Sequence, residues 1–593
     1  MVIKAHVKRN TYFDSITLMK IARGLTGMDG IEDAAAIMAT EPNLQLLAQA
    51  GLTPLEGSAG PADVLLVVRA RDESSAEAAL QAAEQQLAQR STSYSDASPG
   101  GQKQPRSLEQ AIQLRPDARL TVISVPGPYA ALESERALRA GLHVFLFSDN
   151  VPLADEIALK RLAQERNLLL MGPDCGTAML NGAGLGFVNV VPRGPIGIVG
   201  ASGTGIQQVM SLIAQQGSGV SQVIGCGGRD LSEAVGAITT LQGLHLLQED
   251  EQTEVIVLIS KPPAAKVAER VLEVATTGKK PVIVIFVGAD HDALQSRYRH
   301  RVVITRTLAE AARKAVSIGG GSETTTGTWF TGTPSGKGAP YISVGAEKNV
   351  VASLVDARST PAPSPVDTKS TPVDARSTPA PSPVDTKSTP VETLPGGQAG
   401  EPGRLSHSRF LSALFSGGTL CDEAMHIWAE GLPVPRTGFP QRAPLRPIYS
   451  NIPLRPEWRL PEGQGGQVRG HCAIDFGADE YTRGRPHPMI DPSLRLKRLQ
   501  EAASNPYVGV ILLDIVLGYC SHPDPASVYV PVILAARRQA SQAGRSLTIV
   551  ISLCGTEGDP QRLSIQAARF REAGAEVFTS NADAALRCIE ILA

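Results

Sequence analysis

At 593 residues the chain exceeds what one hydrophobic core supports, and several domains are expected. Hydrophobic residues make up 42% and charged residues 19%, a globular composition; 56 basic and 58 acidic residues leave a net charge of -2, which argues against nucleic acid or an acidic membrane surface as partner. The longest apolar runs have strand length, Asp14, Lys20 and Arg23 interrupt any signal-sequence core, and seven scattered cysteines without Cys-x-x-Cys spacing fit reduced thiols, so a soluble cytoplasmic protein is expected.

Residues 1–105 read as a small α/β module of ferredoxin-like order: IKAHV, IEDAAAIMAT and DVLLVVRA as strands, SITLMKIARGL, NLQLLAQAGL and ESSAEAALQAAEQQLAQR as helices. Residues 106–192 alternate strand and helix with nearly continuous apolar strands (RLTVISVPG, HVFLFSD, LLLMGPDCG), the pattern of a buried parallel sheet of Rossmann-like type. Residues 193–317 repeat that alternation from GPIGIVGASGTGIQQ through KPVIVIFVGAD and read as a flavodoxin-like doubly wound domain. Residues 318–403 are rich in Gly, Ser, Thr and Pro and carry two copies of VDARSTPAPSPVDTKSTP, at Val355 to Pro372 and Val373 to Pro390. Such a repeat buries no core, and a disordered, extended tether is expected, joining two halves that still need each other. Residues 404–593 then form a third α/β block with a Pro-rich insertion. The fold class is therefore α/β, with several doubly wound parallel-sheet domains, preceded by the small module and split by the tether.

The most suggestive local feature is Gly200 to Thr204, between a strand and a helix. A helix start there presents unpaired N–H groups, the positive end of a helix dipole and the hydroxyls of Ser202 and Thr204, which together suit phosphate; Ser202 acting simply as an N-cap fits equally.

The ordered turns ISVPGPYAALESERALRAG, MGPDCG, PIGIVGASGT, GCGGRDL and QTEVIVLIS, followed by DFGADEYTRGRPHPMIDP, VILLDIVLGYCSHPDPA and ISLCGTEGDP, resemble the succinyl-CoA synthetase superfamily, and more closely its FdrA branch. Ser107 to Val316 resembles most of the α subunit, and Arg409 to the end the carboxyl-terminal ligase domain of the β subunit. Several family features are missing. The Gly-rich CoA turn would precede Ser107, where the small module lies instead. The Gly-His-Ala-Gly phosphohistidine loop is replaced by GADHDALQSRYRHR, with His291 and His300 nearby, and Lys261, Pro262 and Pro263 stand where the family has a glutamate. No segment reads as an ATP-grasp domain. What the resemblance leaves intact is a phosphate seat between two helix N-termini, expected here from Ser202, Gly203 and Thr204 on one side and Gly518, Ser521 and His522 on the other.

The FdrA branch implies a subunit of oxamate carbamoyltransferase in allantoin and purine catabolism, in which phosphate attacks oxalurate to give oxamate and carbamoyl phosphate. The substrates would then be phosphate or carbamoyl phosphate with a small carboxylate, and companion subunits would complete a hetero-oligomer. One alternative is an acyl-CoA synthetase of succinate–CoA ligase type, taking CoA and nucleotide sites from a partner; another is a non-catalytic scaffold. In DFGADEYTRGRPHPMIDP, Arg483 and Arg485 offer forked donors for a carboxylate or phosphate and His487 a proton-transfer group, with His522 beside them in the expected chemistry; a solvated loop with internal ion pairs is the plainer reading. Gly227, Gly228 and Arg229 form one further candidate substrate turn, and Ser416, Gly417, Gly418 and Thr419 another. Each also reads as an ordinary strand-to-helix turn. The histidines form no metal signature, so no protein-bound metal is expected.

Overall fold

The structure is a computed structural model. It describes residues 2–320, 350–352 and 410–593, except residues 10, 12, 14, 41, 42, 45, 46, 49, 50, 53–58, 61, 97–104, 299–301, 433–446, 461–469, 483 and 484. The two 18-residue repeats lie outside the described residues, as do His300 and Arg483.

The amino-terminal module comprises β1 (Val2–Lys8), α1 (Ser15–Thr26), β2 (Ile31–Met38), β3 (Val64–Ala70) and α2 (Glu73–Asp96), with an antiparallel sheet of order β1-β3-β2. Strand β3 reads VLLVVRA without polar alternation because both its faces are covered. Val64, Leu66 and Val68 join Leu18, Ile21, Leu25, Ala76, Ala79 and Ala83 of the two helices in one core, while Leu65 and Val67 pack with Leu47 and Leu52 on the other side.

After α3 (Leu108–Leu114), a small sheet is built from β4 (Leu120–Ile123), α4 (Gly127–Arg139), β5 (His143–Leu146), α5 (Leu153–Glu165) and β6 (Leu170–Met171), its three strands parallel. The hairpin β7 (Thr177–Leu180) and β8 (Ala183–Gly186) leads into the next sheet. There follow β9 (Ile196–Gly200), α6 (Gly203–Gln215), β10 (Val220–Gly225), α7 (Ile238–Glu249), β11 (Val255–Ser260), α8 (Ala265–Thr277), β12 (Val282–Phe286), α9 (His291–Tyr298), β13 (Val303–Ile304) and α10 (Leu308–Ile318). The sheet order is β13-β12-β11-β9-β10-β7-β8, so the five parallel strands take the flavodoxin-like arrangement with its switch point between β9 and β11. Val350–Ala352 forms β14, antiparallel to β4.

The carboxyl-terminal block contains β15 (Phe410–Phe415), α11 (Gly418–Gly431), β16 (Ile448–Ser450), β17 (His471–Asp475), α12 (Asp479–Thr482), α13 (Ser493–Ser504), β18 (Val508–Val516), α14 (Pro525–Gln542), β19 (Thr548–Cys554), α15 (Leu563–Glu572), β20 (Glu576–Phe578) and α16 (Asn581–Leu592). Its parallel sheet has the order β16-β17-β15-β18-β19-β20, again doubly wound, with the switch point between β15 and β18.

The two doubly wound blocks share a core. Ile206, Val209, Met210 and Ile213 of α6 sit in one buried cluster with Leu420, Ala424, Met425 and Trp428 of α11 and Ala584, Ala585 and Cys588 of α16. Helix α6 is buried nearly all round, which explains its apolar Ile206–Ile213 face and why its glutamines serve as cross-links. Gln208 Nε2 donates to Thr579 O at 2.8 Å and Gln215 Nε2 to Gly555 O at 2.7 Å. Glu423 Oε1 accepts from Leu308 N at 2.7 Å, and Asn189 Nδ2 donates to Asp559 Oδ2 at 2.9 Å. Buried polar groups paired across an interface in this way fix its register as well as its adhesion.

A chain cut at a protease site engineered between residues 355 and 407 is therefore expected to elute as a single species under native conditions. Two separated fragments in size-exclusion chromatography would show that the shared core does not hold the halves.

Candidate functional site at two helix ends

The loops at the two switch points carry the site. Ser202 caps α6 from extended backbone, its Oγ accepting from Gly205 N at 3.0 Å, so the capping role is real. The same hydroxyl donates to Thr419 Oγ1 of α11 at 2.7 Å. Gly417 is the N-cap of α11 and supplies no side-chain cap. A Cβ on Gly417 would lie 2.3 Å from Thr204 Oγ1, and one on Gly418 would lie 2.8 Å from both Asp475 Oδ2 and Lys261 Nζ. The starts of α6 and α11 thus touch, and neither has an acidic residue in its first turn. Two positive dipole ends meet there, which favours an anion, with the Lys261 ammonium and the Asp475 and Asp422 carboxylates alongside.

The expected second half at Gly518, Ser521 and His522 is not the turn that meets Ser202. Gly518 packs onto the Val188 backbone and the Asn189 side chain, and Asn189 stands between it and α6, its Nδ2 donating to Leu517 O and its Oδ1 accepting from Gln207. The N–H of Gly518 donates to Gln561 Oε1, that of Tyr519 to Val188 O and that of His522 to Met489 O. The helix beyond, α14, is capped by the carboxylate of Asp524, which takes the dipole end for itself. Its partner turn is instead Ser416–Thr419, expected only as one of several candidate turns.

Other expected residues are dispersed. Arg229 is committed to Glu156 Oε2 at 2.8 Å and Val151 O at 2.7 Å, while Gly227 leaves room for Pro173 O; this loop serves the packing of the GPDC turn. Arg485 is exposed, and its backbone N–H donates to Thr482 O. His487 is closer to the junction, its Nε2 3.1 Å from where a Gly477 Cβ would stand. Its Nδ1 accepts from Met489 N at 3.3 Å, and burial, helped by Arg495, pushes its pKa down to about 4, so it is neutral at pH 7 and carries its proton on Nε2. Cys175 and Cys421 are buried thiols pushed up by burial, which fits packing and not nucleophilic chemistry.

Two residues gain importance. Lys261, at the carboxyl end of β11, pairs with Asp422 Oδ2 at 3.0 Å. Partial burial works against its charge, but Asp422 and Asp475 outweigh that and hold its pKa above the ordinary value. Asp475 ends β17; burial raises its carboxyl to about 6, although Lys261 and the Gly477 N–H oppose the rise. Behind the turn, Asp514 accepts from Ser416 N at 2.7 Å and from Arg495 Nη2 at 2.7 Å, so a buried ion pair holds the turn in place. The signal for Lys261 was the switch-point rule, which directs attention to the strand ends flanking the reversal; Asp475 ends β17, one strand away from it, and the rule does not reach it. Among the described residues no group of three or more His, Cys, Asp or Glu is placed to hold a metal ion, and no helix is long and apolar enough to cross a membrane.

Three family models match the chain: "AllF, heavy metal-associated domain" over residues 1–105, "CoA binding domain" over 193–288 and "CoA-ligase" over 414–589. Residues 1–105 contain no cysteine. The uncharacterized protein YahF of Escherichia coli strain K12 is 36% identical over 596 residues, covering 100% of this chain and 99% of that protein. The chain belongs to the YahF family, within the succinyl-CoA synthetase-like superfamily. An ADP-forming succinate–CoA ligase subunit alpha-2, mitochondrial, of Trichomonas vaginalis is 32% identical over 192 residues, 31% of this chain and 60% of that protein. An ADP-forming succinate–CoA ligase subunit alpha 2 of Archaeoglobus fulgidus is 30% identical over 159 residues, 26% of this chain and 54% of that protein. The matched part thus spans little more than half the length of those two relatives. For this YahF-family chain the "CoA-ligase" match begins at Leu414, just before the turn that meets Ser202.

Replacing Gly417 by Ala forces a methyl group onto Thr204 and is expected to lower stability by about 1–3 kcal/mol, read as a fall in denaturation midpoint. Ser202→Ala, which removes a cap and the Thr419 contact, is expected to cost about 1–2 kcal/mol. An unchanged midpoint for both would mean that the helix ends are not in contact.

Proposed function

We propose that the chain is a subunit of a carbamoyl-transferring enzyme of allantoin and purine catabolism, in which phosphate attacks oxalurate to yield oxamate and carbamoyl phosphate. The observation that carries this reading is the contact between the α6 and α11 starts beside Lys261, where the superfamily glutamate is replaced by a cation. The match of residues 1–105 to the AllF model supports it. Inorganic phosphate or carbamoyl phosphate is the ligand proposed for the two helix ends, held by Ser202, Gly203, Thr204, Gly417, Gly418 and Thr419 and balanced by Lys261.

In this reading a phosphate oxygen forms a bond to the carbamoyl carbon, and the bond from that carbon to the amide nitrogen breaks. Hydrogen phosphate gives up one proton, and the departing nitrogen takes one up as it becomes the amino group of oxamate, so the reaction balances without ATP. Asp475, with a pKa about 6, is suited to carry that proton, since both of its forms are accessible near neutrality. Its ionised form is the one that accepts, so activity is lost as pH falls through about 6. Lys261 and the helix dipoles stabilise the phosphoryl charge throughout. Companion subunits, as the relatives' names as subunits suggest, complete the assembly.

The second reading is an acyl-CoA synthetase working with a partner subunit, favoured by the matches to CoA-binding and CoA-ligase models. Calorimetry separates the two: tight binding of CoA with none of carbamoyl phosphate supports the ligase.

The complex reconstituted with its companion subunits is expected to cleave oxalurate only when phosphate is present, with carbamoyl phosphate as product. Absence of phosphate-dependent cleavage would end the first reading. Asp475→Asn is expected to lower kcat by roughly a hundredfold and to remove the acid limb near pH 6 from the kcat/KM profile. Lys261→Met is expected to weaken phosphate binding by about tenfold.

A further inference from the structure

The switch point of the carboxyl-terminal sheet holds a small cavity lined by Ser416, Met489, Arg495, Val516, His522 and Tyr529. Its interior is ≈ 10 Å³, room for one water-sized group, and it continues into an open mouth. Arg495 and Tyr529 are each 2% exposed. The Arg495 Nη2 donates to Leu414 O at 2.7 Å, Asp514 O at 2.6 Å and Asp514 Oδ1 at 2.7 Å, but its Nε has no hydrogen-bond partner. The Tyr529 hydroxyl lies against the same guanidinium, its own proton without an acceptor, and the guanidinium carbon stands 5.6 Å from the Tyr529 ring centroid. Unpartnered buried donors are rare in folded proteins and point to a missing acceptor.

We propose that this cavity is the subsite for the carboxylate of the substrate. Arginine can only donate, and burial raises the Tyr529 phenol to about 12, which keeps its proton on the oxygen at neutral pH. The two groups therefore call for an acceptor oxygen, and the space admits the oxygen end of a ligand while its remainder lies in the mouth. A carboxylate accepts both bonds with charge assistance. Ser416 lines the cavity and also opens the turn at the start of α11, with Asp514 bonded to Ser416 and Arg495 alike. A ligand with its carboxylate at Arg495 thus has its other end beside the proposed phosphate seat. This inference rests on the carbamoyl-transfer reading for the identity of the ligand, but not for the subsite's chemistry. It replaces exposed Arg485 with buried Arg495 as the arginine that orients the substrate.

The test is calorimetric titration of the full chain with oxamate and, separately, with inorganic phosphate, for the wild type, Tyr529→Phe and Gly418→Ala. Tyr529→Phe keeps the ring and is expected to weaken oxamate by about tenfold while leaving phosphate unchanged; Gly418→Ala is expected to do the reverse. Oxamate that binds Tyr529→Phe as tightly as wild type, or that does not bind wild type at all, overturns the subsite and leaves the phosphate seat standing. Tyr529-dependent oxamate binding without any phosphate binding overturns the carbamoyl-transfer reading and leaves the subsite standing. Should Tyr529→Phe not fold, the Nε–H resonance of Arg495 in the wild type gives the answer: a shift on adding oxamate supports the subsite, and no shift refutes it.

Discussion

The candidate site depends on the contact between Gly417 and Thr204. At that point two helices from separate doubly wound blocks begin against each other, close enough that a single methyl group on Gly417 would collide with the threonine side chain. Like ends of two helix dipoles repel, so the contact persists only because other forces hold it. Those forces are the common core of α6, α11 and α16 and the buried cross-links at Gln208, Gln215, Asn189 and Glu423. The stability of that core is thus converted into a concentrated positive potential at the helix starts.

Burial and neighbouring carboxylates, acting against that potential, set the ionisation states around it. Lys261 keeps its proton because Asp422 and Asp475 flank it, while Asp475 is pushed up to about 6 by burial and retains access to both of its forms. His487, by contrast, is half-buried, and desolvation with the charge of Arg495 keeps it neutral. At the α6–α11 junction, then, Asp475 is a carboxylate with both forms accessible near neutrality, where the sequence suggested a histidine. The ion pair of Arg495 with Asp514 anchors Ser416, so the cavity behind the turn and the turn itself form one mechanical unit.

Much of the fold was legible because apolar period and turn residues act locally. Continuous short runs such as VIVLIS and VILLDIV, rich in β-branched residues, fit strands buried on both faces, and strand-helix alternation leaves few sheet topologies. Ser202, Gly203 and Thr204 stood out because an N-cap and a glycine follow directly on a strand. The pairing of turns was not legible. Two similar turns, Ser416–Thr419 and Gly518–His522, end neighbouring strands of one sheet, and the difference between them lies in Asp524, which caps α14 with a negative charge, and in Asn189, which arrives from far away in the chain. Arg485 and Arg229 stand in suggestive turns and Arg495 does not, and type and spacing say nothing about which arginine is buried.

By itself, then, the sequence determined the α/β class, the doubly wound blocks, the Pro-rich break between them and the anion-suited start of α6, all of which follow from the spacing of neighbouring residues. Only the tertiary structure decided that α11 supplies the opposing helix end, that Lys261 and Asp475 flank it and that Arg495, its Nε without a partner, lines a cavity. These depend on residues separated by up to several hundred positions, brought together by burial of a core that belongs to both halves.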